Sequence, residues 1–206
     1  VTLSEQDILK QKTEYTGVHP QKFALWLAMA SMTMFFGALT SALLVKKGDF
    51  RAWESFRLPN IFMFSTLAVV LVSVSLHSAL VCYRKTKFTA FRWLMALAFM
   101  LGCLFLVLQY LGWLKLQQMG MTLTGTISAS FIYLITAAHG VHIIGGLAVM
   151  AVFLFFAIRE RKDPLFELRD IINPKRQLNL EMLASYWHFV DIVWVYLYFF
   201  FVINYQ

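Results

Sequence analysis

Five long apolar runs dominate this chain, about Lys22 to Val45, Pro59 to Tyr83, Phe91 to Lys115, Gly125 to Ile158 and Leu178 to Ile203. Roughly 20 apolar residues suffice to cross a bilayer as a helix. Lipid offers the backbone no hydrogen bonds, so runs of this length must satisfy their own amides as helices. Barrel strands would be about 9–11 residues long with strict alternation, and these runs have neither property. The fold class read from the sequence is therefore all-α: a polytopic membrane protein, a bundle of five transmembrane helices. The chain has 206 residues, 60% of them apolar and only 14% charged. A soluble domain would carry about 25% charged residues. No large soluble domain fits beside five spans. Residues 1–21 read as a polar N-terminal tail and 22–206 as the transmembrane domain. The tail shows no basic segment followed by a short apolar one, so no signal peptide is expected.

The two acids within the runs, Glu181 and Asp191, contrast with the basic residues, which gather between the runs. Lys10, Lys12 and Lys22 precede the first span. Arg84, Lys85, Lys87 and Arg92 join the second to the third, and Arg159, Arg161, Lys162, Arg169, Lys175 and Arg176 the fourth to the fifth. These share one side of the membrane, against Lys46, Lys47, Arg51, Arg57 and Lys115 on the other. The positive-inside rule then places the N-terminus in the cytoplasm and the C-terminus outside. The net charge of +7 is accounted for by loops facing anionic headgroups, so no nucleic-acid partner is expected. Cys82 and Cys103 lie inside apolar runs without CxxC spacing and read as buried, reduced residues.

Between Arg159 and Gln177, five aliphatic and aromatic residues alternate with charges. A short interfacial helix and a solvated loop both fit that pattern. Thr33, Gly37 and Ser41 recur every four residues, the spacing of a close-packing ridge, and Gly140, Gly145, Gly146 and Ala148 thin one region of the fourth span; packing between helices of the bundle and docking against a partner subunit both fit. Trp26, Trp53, Trp93, Trp113 and Trp187 lie near span ends, as interfacial anchors do.

Ionisable groups inside a membrane are costly and call for a partner. On an ideal helix Glu181, His188 and Asp191 fall on one face, with Asp191 near mid-span and His188 one turn away, able to pair with it. The fourth span supplies His139 and His142, also near mid-span and one turn apart. Polar faces at similar depth on adjacent helices suggest one internal hydrogen-bonded network of His139, His142, Glu181, His188 and Asp191. Polar glue between helices, a proton relay and a metal or haem site are the readings this pattern allows. A bis-histidine haem would draw on His77, His139, His142 or His188, but His77 reads as lying away from the other three in depth. No Cys–Met–His grouping marks copper. No nucleophile–base pair, P-loop or dinucleotide motif occurs, and no paired half-helices point to a secondary transporter.

The string Ser185-Tyr-Trp-His188-Phe-Val-Asp191-Ile-Val-Trp194-Val-Tyr-Leu-Tyr198 closely resembles the last helix of the haem–copper oxidase subunit III family. Glu181, seven residues before the histidine, matches as well. His139-Gly-Val-His142 followed by Gly145-Gly146 resembles the family's penultimate-helix motif. Phe35-Phe36, and Gln109 with Trp113, match more loosely. The resemblance extends from about Pro20 to Tyr205 and corresponds to the five-helix form, which lacks the first two helices of the longer members. Two positions depart from the family: Met32 and Gly112 stand where many members carry intramembrane carboxylates.

The resemblance implies a non-catalytic accessory subunit of a respiratory terminal oxidase. The whole complex would reduce oxygen to water with proton pumping. This chain would hold no haem or copper, which would lie in subunits I and II, its expected partners. It would stabilise the core, hold structural phospholipids and sustain proton uptake, in a bacterial inner membrane. Under the resemblance the five polar residues form the internal network, while Trp187, Trp194, Gly145 and Gly146 serve lipid or helix packing. Cytochrome c is the electron donor implied by family frequency, with a quinol oxidase as the alternative. A free-standing b-type cytochrome and a proton-coupled transporter remain the readings from other classes.

Overall fold

The computed structural model describes residues 19–48, 56–159 and 174–205. Among these lie five helices long and apolar enough to cross a membrane: α1 Pro20–Lys47, α2 Ile61–Arg84, α3 Phe88–Gln118, α4 Ile127–Arg159 and α5 Pro174–Tyr205. The five expected spans are present, each within a few residues of its sequence boundary. At about 1.5 Å per residue, even 24-residue α2 reaches about 36 Å, beyond the roughly 30 Å hydrocarbon thickness. The 33 residues of α4 must tilt or protrude. Helix α5 starts at Pro174, where a fixed φ and a missing N–H cost a helix least. The question of an interfacial helix between Arg159 and Gln177 falls largely outside the described residues, as do the tail through Val18 and Trp53.

The α2–α3 and α3–α4 connections solve the same problem with different residues. After α3, Gly120 takes φ +82°, Gly120 N–H reaches Gln117 O at 3.0 Å and Met121 N–H reaches Leu116 O at 3.0 Å. After α2, Thr86 takes φ +57°, with Thr86 N–H on Tyr83 O at 3.0 Å and Lys87 N–H on Cys82 O at 2.9 Å. Both are Schellman ends, which satisfy carbonyls a helix would otherwise leave open. Glycine adopts that conformation freely; a β-branched residue does so under strain.

Helices α4 and α5 form the central pair. The α2–α3 hairpin packs along one side of it, α3 against α4 and α2 against α5, while α1 lies in the groove on the other side and touches both. The α1 stripe that turns inward is Met32, Phe36, Thr40 and Leu43. The expected ridge of Thr33, Gly37 and Ser41 is turned outward instead. Thr33 and Ser41 are exposed, and a Cβ added at Gly37 would meet nothing within 4 Å. One residue of helix is about 100° of rotation, so adjacent stripes have opposite fates.

Trp187 also departs from expectation. It is 1% exposed, far from an interfacial anchor. Its indole lies between α3 and α4, against Gly102 and Gly146, where an added Cβ would come within 3.4 and 3.2 Å of the ring. Trp26 and Trp93 are exposed, as anchors should be. Trp113 is half-buried and donates its indole N–H to Thr136 Oγ1 at 3.0 Å.

Candidate functional site

The polar residues of the spans meet in three separate places. The first is a clasp at the Arg84 end of α2. Glu181 Oε1 accepts from Arg84 Nη2 at 2.9 Å and from Gln177 Nε2 at 3.0 Å, and Oε2 pairs with Lys22 Nζ at 3.5 Å. One carboxylate thereby ties α1, α2 and α5 together. The lysine, arginine and glutamate side chains are 38, 50 and 24% exposed, so water screens the pairs.

The second lies in the α2–α5 seam. Ser73 Oγ is 2.7 Å from Asp191 Oδ2 and 2.8 Å from His188 Nδ1. A hydroxyl has one proton to give. If it serves the carboxylate, the serine oxygen accepts from His188 Nδ1–H, which orders the chain His188 to Ser73 to Asp191. The expected direct pairing of His188 with Asp191 is thus replaced by a bridge from the neighbouring helix. Asp191 is 4% exposed, and its Oδ1 has no hydrogen-bond partner among the described residues.

His77 stands beside this bridge, its ring centroid 6.0 Å from that of His188. The separation in depth read from the sequence is corrected here. Arg84 and Glu181 pair across the antiparallel helices, and His77 and His188 each lie seven residues inward from that pair. Equal offsets from a shared anchor bring them level. The charge pair at the helix ends was the signal from which this register could be read.

The third place is the centre of the bundle. His139 is 1% exposed and enclosed by Phe36 of α1, Phe105 of α3 and Trp194 of α5, at centroid distances of 6.1, 5.8 and 5.1 Å. Neither of its ring nitrogens has a hydrogen-bond partner among the described residues. Trp194 completes the box by donating to Thr66 Oγ1 of α2 at 3.0 Å, so all five helices meet here. His142 turns Nδ1 to its own helix, 2.8 Å from Ala138 O, and lies against Phe36. Its backbone carbonyl accepts the Tyr186 hydroxyl at 2.9 Å. The expected single network of five residues is therefore a clasp, a bridge and an aromatic box. Sequence reasoning missed Ser73, Arg84 and Phe105, each of which belongs to a different helix from the residue it serves.

No group of three His, Cys, Asp or Glu side chains is placed to hold a metal ion among the described residues.

The two departures from the family pattern have local reasons. Met32 belongs to the buried stripe of α1, one turn before Phe36. A Cβ at Gly112 would lie 3.1 Å from the Phe62 ring, which is 1% exposed and stacks on Trp194. A carboxylate at 112 would have to displace that ring.

A cavity of about 620 Å³ opens between α1, α4 and α5, lined by Gln21, Ala24, Leu25, Gly145, Val149, Phe153, Asn179 and Tyr186 among others. The adjacent glycines divide their tasks. Gly146 receives Tyr186 and Trp187, whereas a Cβ at Gly145 would meet nothing within 4 Å.

The family model for cytochrome c oxidase subunit III matches residues 50–205. The chain is similar to the cytochrome bo(3) ubiquinol oxidase subunit 3 of Buchnera aphidicola subsp. Baizongia pistaciae, 29% identical over 140 residues, 68% of this chain and 66% of that one. It is similar to the cytochrome c oxidase subunit 3 of Corynebacterium diphtheriae, 27% identical over 133 residues, 63% of this chain and 59% of that one. The cytochrome c oxidase subunit 3 of Bacillus sp. strain PS3 is 28% identical over 185 residues, 84% of this chain and 80% of its own. The first two matches thus span less than two thirds of the relatives' length.

Proposed function

This chain belongs to the cytochrome c oxidase subunit III family, and from that premise we propose that it is the non-catalytic accessory subunit of a cytochrome c oxidase in a bacterial inner membrane. The observation that carries the reading is the family match over residues 50–205, which takes in four of the five helices and all three polar assemblies except Lys22 and Phe36. In this reading the complex reduces oxygen to water and pumps protons, with haem and copper in subunits I and II. Subunit I is the main contact. The N-terminus is cytoplasmic and the C-terminus outside, in line with the charge asymmetry of the loops.

The work of this chain is then structural. The Glu181 clasp and the Ser73 bridge hold α2 and α1 against α5, and the aromatic box around His139 keeps the five helices in one arrangement. The cavity between α1, α4 and α5 seats the acyl chain of a structural phospholipid. Its lining is apolar apart from residues such as Gln21 and Asn179, and its volume lies in the range of roughly 300–1,000 Å³ typical of ligand sites. Sustained proton uptake by the core follows from keeping that assembly intact during turnover.

A quinol oxidase is the second reading, favoured by the Buchnera relative, whose name includes a ubiquinol oxidase. One experiment tests both. The tagged chain is drawn from its native membrane in mild detergent, and the eluate is examined by visible spectroscopy and mass spectrometry. Recovery with oxidase subunits I and II that carry all the haem is the expected result, and the presence or absence of the copper signature of a cytochrome c-binding subunit separates the two donors. A lone chain with its own haem would overturn the proposal.

A further inference from the structure

The outward faces of the helices differ in polarity. Along α3 the exposed residues between the helix ends include Leu97, Met100, Leu104 and Val107, and along α4 they include Leu134, Val141, Ile144 and Val152, all apolar. Such faces suit lipid tails. The α2–α5 seam is different. His77 is exposed on the outside of the bundle, and His188 and Ser73 are half-exposed beside it. Asp191 is buried directly behind the serine.

His77 lies seven residues inside Arg84, about 10 Å below that end of the helix at about 1.5 Å per residue. Lysine and arginine can stretch from such a depth to the headgroups, but an imidazole cannot. Its one ring contact among the described residues is with His188. The hydroxyls of Thr33 and Ser78, also toward the outside, return to the carbonyl one turn back, on Met29 and Val74, and need nothing further. An imidazole can return to its own helix in the same way, as His142 does toward Ala138 O at 2.8 Å, but His77 makes no such bond among the described residues, and ionisable residues inside a membrane face protein or water rather than lipid.

We infer that the α2–α5 seam around His77 is the surface on which this chain docks a transmembrane helix of another oxidase subunit, one that brings a hydrogen-bonding side chain to the depth of His77. The inference rests on the reading of this chain as a subunit of an oxidase complex. Val74 continues the exposed stripe of α2 above His77, and Ile192 continues that of α5 above His188; they are 57 and 67% exposed. Both have a partner helix to cover them in this arrangement. The occupant complements the seam through its polar side chain, which an acyl chain cannot do, and interhelical hydrogen bonds are a known source of specificity between membrane helices.

The test places a photo-crosslinking amino acid at Val74 or Ile192, with Leu104 and Ile144 as reference positions on the apolar faces, in the chain as it exists in its native membrane. Adducts with another oxidase subunit from 74 and 192, and with lipid alone from 104 and 144, are expected. Lipid adducts alone, or adducts with a second copy of this chain, from positions 74 and 192 would overturn the inference, as would subunit adducts confined to 104 and 144. Separately, His77→Leu should reduce co-purified partner about threefold, the effect of one average interhelical hydrogen bond in a bilayer, and His77→Asn should restore it. Equal recovery from both variants would remove His77 from the contact. A chain that purifies with no oxidase subunit at all would overturn the parent reading as well, whereas co-purification with the wrong crosslinking face defeats this inference alone.

Discussion

Ser73 on α2 gives its hydroxyl to Asp191 on α5 across 2.7 Å. Among the described residues this is the one hydrogen bond to the carboxyl of Asp191, which is only 4% exposed. Ser73→Ala should therefore leave a buried carboxyl without a donor and lower stability by about 1–3 kcal/mol. Ser73→Thr should retain most of it. Thermal unfolding of the detergent-solubilised chain checks both, and an alanine variant that melts with the wild type would show that Asp191 is satisfied elsewhere.

The Glu181 clasp should matter much less. Its partners are 38 and 50% exposed, and exposed ion pairs contribute about 0–1 kcal/mol. Glu181→Gln should lower stability by less than about 1 kcal/mol. The loss should shrink further in high salt, which screens exposed charges. Melting at low and high ionic strength measures it, and a large salt-insensitive loss would contradict the screened geometry.

The two Schellman ends predict opposite signs. Thr86→Gly should raise stability by about 1 kcal/mol, because the left-handed conformation costs an L-residue about 1–2 kcal/mol. Gly120→Ala should lower it by a similar amount. Denaturant midpoints of the two variants decide the matter, and equal signs would refute the argument.

Adjacent glycines on α4 make a sharper comparison. A Cβ at Gly146 would lie 2.9 Å from the Tyr186 ring, so Gly146→Ala should cost about 1–3 kcal/mol through overpacking. Gly145→Ala, with nothing within 4 Å, should stay within about 0.5 kcal/mol. Differential melting of the pair is the measurement.

His139 carries two buried nitrogens without a partner among the described residues. An unbonded buried polar group costs roughly 1–3 kcal/mol by mutational measures. His139→Phe removes that cost inside a box already made of aromatic rings, so stability should hold or rise. His188→Phe, which loses the bond to Ser73, should lower stability by about 1 kcal/mol. Reversal of that order would show that His139 has a function the box conceals.

Much of the third dimension left little trace in the chain. The alignment of His77 with His188 could be read by counting from Arg84 and Glu181, because a charge pair at the helix ends sets the register. Ser73 could not be found that way, since serines are scattered through α2 and any of them might have turned inward. The same holds for Phe105 and Phe36, two among 20 phenylalanines. The outward turn of Thr33, Gly37 and Ser41 has a related origin: a four-residue spacing identifies a stripe but does not say whether it faces the bundle or away from it.

By itself the sequence determined the number, extent and helical nature of the spans. Bilayer thickness and the absence of water within it allow long apolar runs no other form. It also determined which few residues were too polar to lie there without a reason. Only the tertiary structure decided which of those residues meet. In water, burial of the apolar face would orient each helix, but lipid tails are as apolar as a leucine core. Side-chain fit and a handful of hydrogen bonds therefore set the rotation of every helix, and these depend on atoms contributed by different helices.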